Sequence, residues 1–400
     1  MRASLSPLAA SVALLCLAGS AQSADPQEEL SSALEGYPNL STFRSLLGAV
    51  GQSFEDVVGD DPKNVTVLVP TDDAINTYLR DSGLTDVSEL TLAEIQTFFS
   101  YQTLAASLKG KDFDTPNGMT VPTLLQGAQY NNRSAGPQLE QAYGEKATGQ
   151  VVFATQKDKS SRRMKRQGAG PVVNIRAGLA QDVGMTAVDA TWGSKGVNTF
   201  QVVDSVLVPP KNCSLTIKSY PDETLQSMDQ ALNKSGLWPK INTSFNVTCL
   251  APSTEAFKNA GNPQLSGTQN EVAGTVLHHT LEQVTYTNFL EDGMVLNSLN
   301  NTKITVRIKG NDIYFNNAKV IEANVLTNNG LVHILDSVIE TDDNMSAKSS
   351  GDSTSTATTA EVPSSTATSS SSSSTSSNAA SALTFSYSGA VAVAAGLLML

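Results

Sequence analysis

β-Branched and apolar residues alternate through residues 65–69 and again through 247–251, the period-two pattern of a half-buried strand. Each run meets a proline, Pro70 or Pro252, and then a hydroxyl residue, Thr71 or Ser253, in the N-cap position of a helix. Acidic residues follow (Asp72 and Asp73; Glu255), where the positive end of a helix dipole favours them. VTVLVPTDDAINTYL (65–79) and VTCLAPSTEAFKNAG (247–261) therefore predict the same strand-to-helix corner. A second pattern recurs downstream of each corner: NTFQVVDSVLVPP (198–210) and GLVHILDSVIE (330–340) share an apolar run, an Asp-Ser step and another apolar run. Two elements repeated in the same order make a tandem of two related domains.

Helical periodicity fills the space around the corners. In LSTFRSLLGAV (40–50), Ser41 or Thr42 caps a helix that places Phe43, Leu46, Leu47 and Val50 on one face. A second helix starts at Thr91 with Leu92, Ile95, Phe98 and Phe99 inward. In the second copy a helix is expected over about 221–234, and another carries His278 and His279. KITVRIKGNDIYFNN (303–317) reads as a hairpin of two alternating strands joined by Gly-Asn-Asp. The first copy is longer between corner and closing run, and most of the excess follows Gly118. An insertion is therefore expected at about 128–172.

The corner resembles the first signature of fasciclin-like domains, and the apolar-Asp-Ser-Val run is similar to their closing signature. Tyr101-Gln102 and His278-His279 stand where that family has a Tyr-His pair, and NGMTVPTLLQG (117–127) and DGMVLNSLNNT (292–302) resemble its Gly-then-Leu step. Both copies depart from the pair, with Gln102 for the histidine and His278 for the tyrosine. The resemblance covers about 26–341. It implies an α+β fold of two tandem domains, each a twisted β-sheet core with several packed helices, and adhesion or matrix organisation as the function. The second domain, which keeps His279 and shorter loops, is the expected site of specific contact.

Composition places the chain outside the cytoplasm. Arg2, an apolar core through Leu17 and Ala21-Gln22-Ser23 predict a signal peptide over 1–23. Cys16 leaves with it, so Cys213 and Cys249 remain as an even pair in a secreted chain, and one disulfide is expected between them. Asn-x-Ser/Thr sites stand at Asn39, Asn64, Asn132, Asn212, Asn233, Asn242, Asn246, Asn300 and Asn344, each marking an exposed turn or edge if glycosylated. The net charge is −12, which with secretion excludes nucleic acid as a partner. Against that background KDKSSRRMKRQGAG (157–170) is strongly basic; Arg162, Arg163, Lys165 and Arg166 make it a solvated loop, an anion-binding site or a processing site.

The expected domains are 24–210 and 211–342, followed by a disordered Ser/Thr-rich stalk over 343–378. Asn378-Ala379-Ala380, a polar spacer and the apolar run from Gly389 to Leu400 follow the order of a glycosylphosphatidylinositol signal, with 379–400 as its propeptide and Asn378 as the attachment residue. The chain has three histidines and no metalloprotease, nucleophile-elbow, C-x-x-C or P-loop spacing, so no catalytic residue, metal or cofactor is expected. His278 and His279, adjacent on a helix, point about 100° apart and cannot chelate one ion together. They remain candidates for an interaction surface, alongside the basic run. The expected function is non-enzymatic adhesion at the outer face of the plasma membrane or cell wall, through surface or matrix proteins, wall glycans or self-association. A vacuolar protein of membrane fusion or trafficking is the alternative, and an enzyme with an unfamiliar site is the other class left open.

Overall fold

The computed structural model describes residues 25–59, 62, 64–156, 172–193 and 196–340, all within one compact unit, Met1–Ser350. In the first half, α1 (Pro26–Ala33) and α2 (Ser41–Val58) precede the corner strand β1 (Thr66–Pro70). The chain continues through α3 (Asp72–Asp81), α4 (Leu92–Gln102), β2 (Thr103–Leu104), β3 (Met119–Pro122), α5 (Pro137–Tyr143), β4 (Val151–Gln156), β5 (Val172–Arg176), β6 (Asp182–Trp192) and β7 (Asn198–Val203). The second half repeats this plan. α6 (Cys213–Lys218), α7 (Gln226–Ser235) and α8 (Trp238–Thr243) lead to the corner strand β8 (Val247–Pro252), followed by α9 (Thr254–Asn259), α10 (Pro263–Ser266) and α11 (Gln269–His278). Strands β9 (Thr280–Leu281), β10 (Val295–Asn297), β11 (Lys303–Lys309), β12 (Asp312–Phe315), β13 (Ala318–Thr327) and β14 (Gly330–Leu335) complete it.

The strand orders are the same in both halves: β2-β1-β7-β6-β5-β4-β3 and β9-β8-β14-β13-β12-β11-β10. Each corner strand runs parallel to the closing strand (β1 with β7, β8 with β14), and the other pairs are antiparallel. The outermost strands meet. Leu104 bridges Thr123 and Leu281 bridges Ser298, with Leu124 N–H donating to Thr103 O at 2.9 Å and Leu299 N–H to Thr280 O at 2.7 Å. Each sheet thus closes into a seven-stranded barrel, which leaves those strands no open edge.

Closure explains why the corner strands are buried on both faces and not on one. Leu68 joins the interior of the first barrel with Val121, Val152, Ile175 and Val203, while Val67 and Val69 pack outward under the helices with Phe43, Phe54 and Phe99. The second barrel divides in the same way: Leu250 and Phe315 lie inside, and Cys249 and Ala251 face α7 and α11. The corner hydroxyls cap as expected, Thr71 Oγ1 accepting from Ala74 N–H at 3.2 Å and Ser253 Oγ from Ala256 N–H at 3.1 Å. Asp72 reaches further, accepting from Thr42 N–H and Ser41 Oγ at 2.7 Å each, so the corner carboxylate caps α2 from 30 residues away.

Three local expectations are revised. Leu92 is 61% exposed: it begins α4, one turn short of where that helix meets the core, while Ile95 and Phe99 are buried. The hairpin turn is two residues, Gly310-Asn311, because Asp312 already belongs to β12; Gly310 takes the positive φ (63°) that such a turn needs. The insertion is two segments, because framework strand β4 lies inside 128–172. One segment, 123–150, carries α5, and the other lies between β4 and β5. That second segment, with Arg162, Arg163, Lys165 and Arg166, falls outside the described residues, as do the signal peptide, Asn344, the stalk, Asn378 and the anchor signal.

Candidate functional site

The chemically capable side chains of the barrels turn inward. His279 is buried, with Nδ1–H donating to Thr275 O at 2.8 Å and Nε2 accepting from Ile339 N–H at 2.9 Å. Those partners fix a neutral imidazole, and burial pushes its pKa down to about 4, with the Thr275 carbonyl opposing the shift and His278 adding to it. Gln102 performs the same task in the first barrel: its oxygen accepts from Leu207 N–H at 2.8 Å and its nitrogen donates to Leu68 O at 3.1 Å. Leu207 and Ile339 each lie three residues after the recurrent aspartate, so both side chains pin the segment that leaves the closing strand. The replacement of histidine by glutamine in the first copy therefore conserves an acceptor and loses only the titration.

A second pin lies on the closing strands. His333 Nδ1 accepts from Asn324 N–H at 3.3 Å and Nε2–H donates to Thr285 O at 2.8 Å. Burial lowers its pKa to about 4 as well, against the Thr285 hydrogen bond. Gln201 again matches it, with Oε1 accepting from Val188 and Asp189 N–H at 2.8 and 3.1 Å and Nε2 donating to Leu108 O at 3.0 Å. Both pins serve a β-bulge in the neighbouring long strand, where Asp189 and Asn324 take left-handed φ of 52° and 55°. A bulge frees backbone amides inside a closed barrel, and a buried acceptor is the means of satisfying them. Asp204 and Asp336 cap strand ends, accepting from Gly184 N–H at 2.8 Å and Lys319 N–H at 2.9 Å.

His278 is buried too and hydrogen-bonds to Thr302 Oγ1. Neither His278 nor His279 can therefore form an interaction surface, and the second domain has no histidine with which to make the expected contact. Among the described residues, no group of three His, Cys, Asp or Glu side chains is placed to hold a metal ion, and no helix is long and apolar enough to cross a membrane.

The expected Cys213–Cys249 bridge is not formed: both are free, buried thiols. They contact each other between α6 and β8, and the Cys213 hydrogen bond together with burial raises the pKa of Cys249 well above the usual thiol value. Of the glycosylation sites, Asn39, Asn64 and Asn233 are exposed, and Asn132, Asn212, Asn242 and Asn300 are half-buried. Asn246 departs from the expected open turn. Its Oδ1 accepts from Ser134 N–H at 2.8 Å and its Nδ2, which would carry the sugar, donates to Ser134 Oγ at 2.9 Å across the seam between the barrels.

Sequence reasoning missed that seam. The segment 123–150 lies on the second barrel: Leu139, Ala147 and Val151 form one buried cluster with Tyr286, Leu326 and Leu331. Arg133 is buried, donating to Gly149 O at 2.6 Å and Ser134 O at 3.1 Å, with its guanidinium 6.0 Å from the Tyr286 ring centre. Further along the seam Arg176 holds Asp182 at 2.6 Å and Glu322 at 2.8 Å, and Tyr220 Oη donates to the other Glu322 oxygen at 2.5 Å. Beside this chain of charges opens a cleft of about 750 Å³ between the two barrels.

The family model of the fasciclin domain matches residues 223–341. Over 304 residues the chain is 23% identical to the fasciclin-like arabinogalactan protein of Arthroderma benhamiae, covering 76% of this chain and 64% of that one. Over 144 residues it is 25% identical to the transforming growth factor-beta-induced protein ig-h3 of Sus scrofa, covering 35% and 21%. The chain thus spans less than two thirds of the length of these relatives. Among solved structures, a FAS1 domain pair from the insect cell adhesion molecule Fasciclin I aligns with a TM-score of 0.34 at 13% identity, over 76% of this chain and 98% of that one. Residues 223–341 are thus a fasciclin domain, and the first half of the chain repeats its strand order, corner and buried pins.

Proposed function

We propose that the protein is a non-enzymatic adhesion or matrix-organising glycoprotein, acting at the cell surface or wall through protein or glycan contacts. Fasciclin-domain proteins are adhesion-related proteins of the cell surface. The observation that carries the reading is where the polar chemistry goes. His279, His333, Gln102 and Gln201 are buried and hydrogen-bonded to backbone, so the outer surface of two packed barrels is left to meet a partner. The order of small residues, spacer and apolar end after Asn378 supports lipid anchoring of that body above a Ser/Thr-rich stalk.

The test is bead aggregation. Beads coated with the folded chain, oriented through the stalk, are expected to cluster or to be held on cell-wall or matrix preparations. Beads that stay dispersed and unretained at every coating density would defeat the reading.

A further inference from the structure

We propose that the cleft between the barrels is a binding site for a neutral oligosaccharide. The site takes its biological setting from the adhesion reading and its geometry from the cleft itself.

One wall is the outer face of β4–β5, where Thr155 and Asn174 are cross-strand partners. The opposite wall is the second barrel, from the β11–β12 turn to the bulge of β13. Besides Asn324, which is already hydrogen-bonded, four side-chain amides line the space, Asn117, Gln156, Asn174 and Asn311. They come from four separate places in the chain, and none of them has a side-chain hydrogen-bond partner among the described residues. This contrasts with the buried amides Gln102, Gln201 and Asn324, which are all bonded. An amide offers two donors and an acceptor in one plane, the complement of vicinal sugar hydroxyls that both give and take.

An aliphatic surface accompanies the amides. Ile308 and Ile313 face each other across β11 and β12, and Ile321 on β13 is 53% exposed in the same cleft. Polar groups placed around an apolar patch suit a sugar ring, which has hydroxyl edges and C–H faces. The volume, about 750 Å³, falls in the range of roughly 300–1,000 Å³ for small-ligand sites.

Charge selects the class of glycan. The charged residues lining the cleft are Asp114, Arg176, Asp182 and Glu322, and Arg176 is already held by Asp182 and Glu322. The surplus is negative, which repels sulfated or uronic acid polymers and anionic headgroups. A peptide adding itself as a strand is disfavoured because both barrels are closed where their outermost strands meet.

The experiment uses the full secreted chain on an array of neutral oligosaccharides (glucan, mannan, galactan and chitin fragments) and anionic ones, followed by calorimetric titration of the best neutral ligand. Neutral ligands are expected to bind. Asn174→Ala on β5 and Ile321→Ala on β13 are each expected to weaken binding at least tenfold with an unchanged melting temperature. Two variants on different barrels keep the test decisive if one fails to fold. Absence of any neutral ligand, binding confined to anionic glycans, or affinity unchanged in both variants would overturn the inference. Bead aggregation on the same preparations separates the two readings. Aggregation without neutral-glycan binding removes this site and leaves adhesion standing. Binding lost in both variants, from beads that never cluster, establishes the site and removes adhesion.

Discussion

Acidification is expected to loosen the second barrel before the first, and the cause can be traced to two atoms. His279 Nε2 and His333 Nδ1 accept backbone N–H bonds, so a proton on either ring breaks a buried hydrogen bond and leaves a charge without water. Burial holds both folded pKa values near 4, below the ordinary 6.5. The unfolded chain therefore binds more protons than the folded one below about pH 6.5, and stability falls as pH falls. Each unit of displacement is worth about 1.4 kcal/mol, so each imidazole withdraws roughly 2 kcal/mol by pH 5 and about 3 kcal/mol by pH 4. Two of them remove a sum comparable with the whole stability of many domains, about 5–15 kcal/mol. The first barrel holds Gln102 and Gln201 at these positions and has no histidine. Urea unfolding of the intact chain between pH 7.5 and 4, followed by tryptophan fluorescence, should show the second-barrel transition moving to lower urea. Trp192 reports the first barrel and Trp238 the second. His279→Gln and His333→Gln, which copy the first barrel, should each remove about half of the pH dependence that the imidazoles supply, and Gln102→His should transfer part of it to the first barrel. A pH dependence unchanged in the double histidine variant would refute the linkage, because carboxylates common to all variants would then account for it.

Gln102→Ala should cost about 2–3 kcal/mol in urea unfolding at pH 7, since it strands Leu207 N–H and Leu68 O inside the barrel; a loss under about 0.5 kcal/mol would mean that neither group depends on it. Thiol titration should find no reactive cysteine in the native chain and two after unfolding without reductant, as Cys213 and Cys249 are free and buried. None after unfolding would restore the disulfide, which would close a loop of about 36 residues worth roughly 3–4 kcal/mol. Glycopeptide mapping should find sugar on Asn39, Asn64 and Asn233 and none on Asn246, whose Nδ2 is engaged at the seam; full occupancy at Asn246 would show that the contact with Ser134 is not kept. Residues 24–210 and 211–342 expressed apart should each melt below the intact chain, because the cut uncovers Val151 and Leu139 on one side and Tyr286, Leu326 and Leu331 on the other. Equal melting temperatures would reduce the seam to a passive contact.

What the sequence made legible was local. The corners depend on neighbours a few residues apart, so alternation, proline and cap announce them. The Asp-Ser step marks the strand ends where Asp204 and Asp336 cap. Closure of the sheet was not legible, because it depends on short strands of two and three residues, β2, β9 and β10. Alternation in β1 therefore suggested one buried face where there are two. The equivalence of Gln102 with His279 was hidden for a related reason. A departure from a motif signals lost chemistry until the shared partner, a backbone amide more than 50 residues downstream, is in view. The seam joins 123–150 to 284–331, and no periodicity links segments so far apart. Its one trace was the extra length after Gly118, which gave an insertion but not its destination.

Adhesion of intact cells that make the protein, compared with cells in which its gene is disrupted, tests the central claim most directly. The account predicts that disruption lowers the force or shear needed to detach cells from one another or from their matrix, and that the whole chain restores it. Equal detachment by the two cell types, with the protein accessible to a membrane-impermeant label, would contradict the account; a protein shielded from that label would contradict the surface location itself.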